Sequence, residues 1–159
     1  MNRQRVNTPP EIPIARRLAD TRQRSANHHT RSPGVLVVDD EQHVREIVVR
    51  VLQGLGFAVY EASGASEALR IWNLEADRIG LVITDVQMPG MTGPQLAANL
   101  ADAGANVELL LMSGALFAPE LEREAWFLPK PFTPDELTAK IRYAIESGSG
   151  WRHRSALHP

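Results

Sequence analysis

The 159-residue chain has no cysteine. That excludes a disulfide framework and any thiolate metal or redox centre, and it makes a reducing, cytoplasmic setting the natural expectation. The chain also lacks any apolar run near the roughly 18 residues that a membrane span needs. Its opening stretch, MNRQRVNTPPEIP, has no apolar core of the signal-peptide kind, so no membrane partner is expected. What it does have is 43% apolar residues and a net charge of only -2, the composition of one globular unit with tails.

The small net charge conceals an asymmetry. Residues 1 to 34 carry seven Arg against Glu11 and Asp20, or +5, which leaves -7 for the remainder. That first stretch has few large apolar side chains beyond Val6, Ile12, Ile14 and Leu18, too few to bury the surface that ordering requires. It is read as a disordered basic tail over 1–33. The plainer role for it is a solubilising extension, and the sharper one is electrostatic contact with nucleic acid or an acidic partner. No helix-turn-helix or other reader of bases follows in the sequence, so sequence-specific nucleic-acid binding is not expected. After Glu146 the run SGSGWRHRSALHP reads as a flexible C-terminal tail over 147–159, leaving one folded domain at 34–146.

Within that domain, buried-type apolar runs alternate with helical patterns. Val35 to Val38 has the β-branched continuity of a strand covered on both faces. Val44, Ile47, Val48, Val51, Leu52 and Leu55 follow at the spacing of an amphipathic helix, with Gly54 and Gly56 at its end. Phe57 to Ala62 reads as a second strand, and Ala65, Ala68, Leu69 and Trp72 mark a second helix. A third strand is expected over Leu81 to Thr84; MPGMTG is then turn chemistry, and Pro94 suits the first turn of a helix reaching Asp102. Val107 to Met112 makes a fourth strand, Glu120 to Ala125 a short helix and Trp126 to Leu128 a fifth strand. Thr133-Pro134-Asp135-Glu136 supplies a capping box for a last helix that buries Leu137, Ile141, Ala144 and Ile145. Alternation of this kind gives an α/β fold with a parallel sheet covered on both sides.

The strands end in chemistry. Asp39 and Asp40 close the first run, Asp85 the third, Ser113 the fourth, and Lys130 follows the fifth. Each alone has a plainer explanation: an N-cap for Asp39 or Asp40, loop ordering for Asp85, a turn hydroxyl for Ser113, a solvated charge for Lys130. Together they crowd carboxylates onto one rim, where two charges about 4 Å apart repel by several kcal/mol at an effective dielectric near 20. A cation has to sit among them. Oxygen ligands without His or Cys in the set select a hard ion, and a carboxylate pair with waters suits Mg²⁺. A divalent ion, an ammonium, a hydroxyl and a central carboxylate in one pocket are fitted to receive a phosphoryl group, with Asp85 as the nucleophile.

The segments VLVVDDEQHVREIVVRVLQGLGF, LVITDVQMPGMTG, LLLMSG and FLPKPFTPDEL together resemble the receiver domain of two-component response regulators, from about Val35 to Glu146. MSG and FLPKPFTPDEL are also similar to receivers attached to hybrid sensor kinases. The resemblance implies a flavodoxin-like three-layer α/β/α fold with a five-stranded sheet in the order 2-1-3-4-5. It implies Asp85 as phosphoacceptor, and Asp40, Asp85 and the backbone carbonyl of Gln87 as Mg²⁺ ligands, with Asp39 acting through water. Ser113 would turn towards the phosphoryl group, Lys130 would pair with it, and Phe127 would be the aromatic switch. The donor would be a phosphohistidine on a sensor histidine kinase or a histidine phosphotransfer protein, and the downstream protein target is open. Only 16 residues separate Ser113 from Lys130, about five fewer than the family usually has, so the intervening helix is expected to be shortened and its output contacts are in question.

The expected function is a stand-alone phosphorelay receiver that signals by conformational change and is not an enzyme beyond its own phosphorylation and dephosphorylation. Two alternatives stand beside it. One is a phosphorylation-inert scaffold for protein contacts, which decay of the acidic pair, Asp85 or Lys130 would have favoured. The other is a Mg²⁺-dependent aspartyl-nucleophile phosphatase, which needs a second carboxylate two residues after the nucleophile, where this chain has Gln87.

Overall fold

The computed structural model describes residues 34–105, 107–114 and 126–147. The short helix expected over Glu120 to Ala125, its expected shortening, the N-terminal tail expected over 1–33 and the C-terminal tail expected over 147–159, apart from Ser147, lie outside the described residues; Ser147 is the last residue of the final helix and not part of a tail.

Five strands alternate with helices: β1 (Gly34–Val38), α1 (Gln42–Gly54), β2 (Val59–Ala62), α2 (Ala65–Glu75), a 3₁₀ turn (Ala76–Arg78), β3 (Ile79–Asp85), α3 (Gly93–Asp102), β4 (Glu108–Gly114), β5 (Phe127–Lys130) and α4 (Pro134–Ser147). Every strand pair is parallel, and the order is β2-β1-β3-β4-β5, as expected. β1 pairs with β2 at Val38↔Ala62 and with β3 at Val38↔Thr84. The chain therefore leaves β1 on one side to make β2 and returns on the other to make β3, so the strand order reverses at β1 and a crevice opens beyond the carboxyl ends of β1 and β3.

The two-residue period of the strands builds two cores. Leu36, Val38, Val82, Leu109, Leu111 and Phe127 point to one face, where α2 and α3 cover them with Trp72, Leu96 and Leu100. Val35, Val37, Leu81, Ile83, Leu110, Met112 and Leu128 point to the other, against Val48, Val49 and Leu52 of α1 and Leu137 and Ile141 of α4. Among the described residues no helix is long and apolar enough to cross a membrane.

Three expected burials are corrected. Ile47, Leu55 and Ile145 are 48%, 36% and 38% exposed, while Val49, outside the expected stripe, is buried. A sheet touches a helix along a narrow line, here through Val48, Val49 and Leu52, so the edges of a wide apolar stripe stay wet. Strand boundaries also move: β3 runs over Ile79–Asp85 where Leu81 to Thr84 was expected, and β4 over Glu108–Gly114 where Val107 to Met112 was expected. β2 begins at Val59, because the Phe57 amide still bonds the Leu52 carbonyl at the end of α1. β5 starts after Trp126 and runs on through Lys130.

Candidate functional site

Asp39 and Asp40 occupy the two positions directly after β1, and Asp85 is the last residue of β3. The apolar strands carry them to the crevice. Carboxylate oxygens of Asp39, Asp40 and Asp85 all lie within 4.8 Å of one another. Asp39 is completely buried, Asp85 is 5% exposed and Asp40 faces solvent. Lys130 reaches them from the end of β5, 90 positions after Asp40 in the chain. Its Nζ stands 2.9 Å from Asp39 Oδ2, 3.2 Å from Glu41 Oε1 and 3.4 Å from Asp85 Oδ1.

The electrostatics follow from this packing. Burial pushes the Asp85 carboxyl above its ordinary pKa; Lys130 opposes the shift, and the neighbouring Asp39 charge adds to it. Burial works against the Lys130 ammonium too, but the bond and charge of Asp39, then Asp85 and Glu41, outweigh it and hold its pKa above the usual lysine value. Asp39, Asp40, Glu41 and Asp85 around one partly buried base leave the pocket with excess negative charge, which a cation would offset.

The loop after β3 is shaped around Asp85. Gly93 donates its N–H to the Val86 carbonyl at 3.0 Å, and a Cβ on Gly93 would collide with the Asp85 backbone. Only glycine lets the start of α3 lie that close. Thr92 caps α3 in a full capping box with Gln95: Gln95 N donates to Thr92 Oγ1, and Thr92 N donates to Gln95 Oε1 at 3.0 Å. The Gln87 backbone N–H works weakly against the upward shift of Asp85, and Gln87 lines an open cleft of about 560 Å³ with Asp40, Glu41, Asp85, Gly114 and Lys130. Apolar Val44, Ile47 and Phe132 form its outer wall.

Ser113 and Phe127 sit on the β4–β5 side. Ser113 is 1% exposed and lies one residue beyond Met112, the register partner of Asp85. Its hydroxyl donates to the Gly114 carbonyl at 3.5 Å, the outer limit of a hydrogen bond. Phe127 is buried in the core that α2 and α3 cover. Sequence reasoning missed two neighbours. Glu41 shares Lys130 with the buried acids; Arg45 donates from Nη1 to the Asp39 carbonyl at 2.7 Å. The cluster of acids was signal enough for the first, but the second depends on how α1 rises from the rim.

Comparison with known proteins agrees with this geometry. The response regulator receiver domain matches residues 35–142. Over 120 residues the chain is 37% identical to the sensor kinase CckA of Brucella abortus (strain 2308), covering 72% of this chain and 13% of that kinase. It is 32% identical over 120 residues to the C4-dicarboxylate transport transcriptional regulatory protein DctD of Rhizobium meliloti (strain 1021), covering 72% and 26%. The chain thus spans about a quarter or less of these two curated relatives. Among solved structures, a response regulator receiver domain protein from Clostridium thermocellum superimposes with a TM-score of 0.64 at 27% identity, covering 73% of this chain and 96% of that one. The receiver domain of the hybrid histidine kinase CckA gives 0.57 at 32% identity, covering 70% and 97%. With a match over most of the folded residues and an acidic crevice at the strand ends, the chain belongs to the response regulator receiver domain family.

Proposed function

We propose that Asp85 accepts a phosphoryl group from a phosphohistidine on a sensor histidine kinase or a histidine phosphotransfer protein, and that the proposed setting is the cytoplasm. The observation that carries this reading is the meeting of Asp39, Asp40 and Asp85 oxygens within 4.8 Å with Lys130 Nζ 3.4 Å from Asp85 Oδ1. The donor set fits Mg²⁺: all oxygen, with Asp40 open to solvent so that an ion would keep part of its water shell. Asp40, Asp85 and the Gln87 carbonyl would hold it, with Asp39 acting through water. When bound, Mg²⁺ supplies the positive charge that lets a second anion approach these carboxylates.

The rest of the step belongs to the chain. An Asp85 carboxylate oxygen attacks phosphorus, the P–N bond breaks, and the imidazole leaves with the electron pair. Lys130 faces the oxygens of the incoming group and offsets their charge. The acyl phosphate carries about 1.5 to 2 negative charges where the carboxylate carried one, and spreads them over three further oxygens; these draw the Ser113 hydroxyl inward and let Phe127 repack, so that the output is a changed surface. Gln87 at the position where an aspartyl phosphatase needs a carboxylate speaks for a signalling domain over an enzyme.

Phosphoramidate, which carries a P–N bond, tests the assignment. Wild type with Mg²⁺ is expected to gain one phosphoryl group by intact mass, and Asp85→Asn to lose uptake by at least about 100-fold. Uptake by Asp85→Asn at the wild-type rate would overturn the choice of nucleophile. A wild type that takes up nothing from phosphoramidate or from a phosphohistidine donor would favour the inert scaffold.

A further inference from the structure

Asp39 and Asp40 are neighbours in sequence and opposites in environment. Asp40 is exposed, whereas Asp39 is completely buried and each of its polar atoms meets a different partner. Its N–H donates to the Ala62 carbonyl of β2 at 3.2 Å. Oδ1 accepts from the Glu41 N–H at 2.9 Å, Oδ2 lies 2.9 Å from Lys130 Nζ, and the carbonyl oxygen accepts from Arg45 Nη1 at 2.7 Å. The last contact has the least obvious purpose. β1 ends at Val38, so the Asp39 carbonyl falls outside the ladder, and a buried carbonyl without a donor is costly.

Arg45 answers from the first turns of α1. Its side chain is only 16% exposed, and Nε lies 3.8 Å from Glu61 Oε2 on β2. A guanidinium can do both at once because its donors are spread over a planar fork; an ammonium is a single point. The Asp39 carbonyl and the Asp40 N–H share one rigid peptide plane. Whatever fixes that oxygen also fixes the Asp40 nitrogen and Cα, and leaves only rotation about the Asp40 N–Cα bond to set where its side chain leaves the backbone.

We propose that Arg45 is a positioning residue for the cation site: by holding the Asp39 carbonyl it aims the exposed Asp40 carboxylate at the crevice it shares with Asp85. The inference rests on the cation reading above and goes beyond it, because it assigns a role to a cationic side chain that touches neither the ion nor the phosphoryl group. The sign of the effect makes it decisive. Removing a positive charge that lies against the Asp39 carbonyl, next to the acidic crevice, should, by Coulomb attraction alone, tighten a divalent cation. Losing the tether should weaken it, by about tenfold if Arg45 behaves as outer partners of metal ligands do.

The test is calorimetric titration of the whole chain with Mg²⁺, repeated with Mn²⁺ by electron paramagnetic resonance. Arg45→Met is expected to bind about tenfold more weakly than wild type. Arg45→Lys keeps the charge and most of the stem, folds more safely, and is expected to recover less than half of that loss on a logarithmic scale because it lacks the fork. Equal or tighter binding by Arg45→Met overturns the proposal. Should that variant fail to fold by circular dichroism, Arg45→Lys decides: binding within twofold of wild type overturns it, and a clear loss sustains it. A wild type that binds neither ion would remove the cation reading, and this inference with it, whereas a binding wild type with indifferent variants would remove this inference alone.

Discussion

On the β1–β3 side of the sheet, Asp39 is completely buried and every polar atom it has is engaged. On the β4–β5 side, Ser113 is almost as deeply buried, yet its hydroxyl holds one bond at 3.5 Å to the carbonyl of the next residue. The first arrangement fixes charge in place before any ligand arrives, which is what a receiving site needs if its groups are not to reorganise during the step. The second leaves a hydroxyl with little to lose by turning. Rigid reception and loosely held reporting thus occupy adjacent strands of one sheet. Lys130, at the end of β5 but paired with Asp39 and Asp85, is the link between them.

The comparison breaks first at that link. Lys130→Met leaves the buried Asp39 and Asp85 charges without their base, and the cost of orphaning one partner of a buried ion pair is about 3 kcal/mol or more. Without divalent ions we expect a loss of about that size in urea unfolding. The ammonium is held above its ordinary pKa of 10.5, so its contribution is whole at pH 7 and is lost only as pH rises through that raised value. The double variant with Asp39→Asn should lose much less than the sum of the two single changes. Additive losses would mean that the two sides of the sheet are not joined through this charge.

A smaller effect of opposite sign is expected at Asp85. Its folded pKa is raised, chiefly by burial, so the native state binds a proton more readily than the unfolded chain. The ionised carboxylate therefore destabilises the fold once pH exceeds that raised value, and the penalty vanishes below the ordinary 3.8. Asp85→Asn should be more stable than wild type at pH 7 without Mg²⁺, by less than Lys130→Met loses, and the gain should shrink as pH falls towards 4. Thermal melts across that range check it. A gain independent of pH would locate its cause in something other than charge.

Much of this organisation was legible in the residues. Val35 to Val38 and Leu109 to Met112 are continuous apolar runs, so they could only be strands buried on both faces, and the site is the set of residues that end such runs. What stayed hidden depends on distances between elements. The stripe on α1 did not reveal that Ile47 and Leu55 would be exposed and Val49 buried, since helix periodicity gives a face but not the line along which a sheet meets it. The capping box of Thr92 with Gln95 was readable from its three-residue spacing, but Pro94 drew attention to the following position. Arg45 gave no local sign of its contact with the Asp39 carbonyl, because that contact arises only where α1 rises from the rim.

The smallest stability change and the sharpest functional one should coincide at Ser113. Replacing it by Ala removes a hydroxyl whose bond to Gly114 is at the limit of reach, so unfolding free energy should shift by less than about 0.5 kcal/mol. Mg²⁺ affinity should also be unchanged, because Ser113 stands on the β4–β5 side while the carboxylates stand on β1 and β3. What should change is the report. In a chain with Trp72 and Trp151 replaced by Phe, Trp126 lies next to Phe127 and its fluorescence should respond when beryllofluoride and Mg²⁺ occupy the pocket. With Ser113→Ala the amplitude should fall by at least about half and the midpoint should move to higher beryllofluoride concentration, since no hydroxyl moves towards the bound group to open space for Phe127. A loss of stability well above 0.5 kcal/mol would show that the hydroxyl is held more firmly than one long bond allows, and an undiminished amplitude would place the report elsewhere on the sheet.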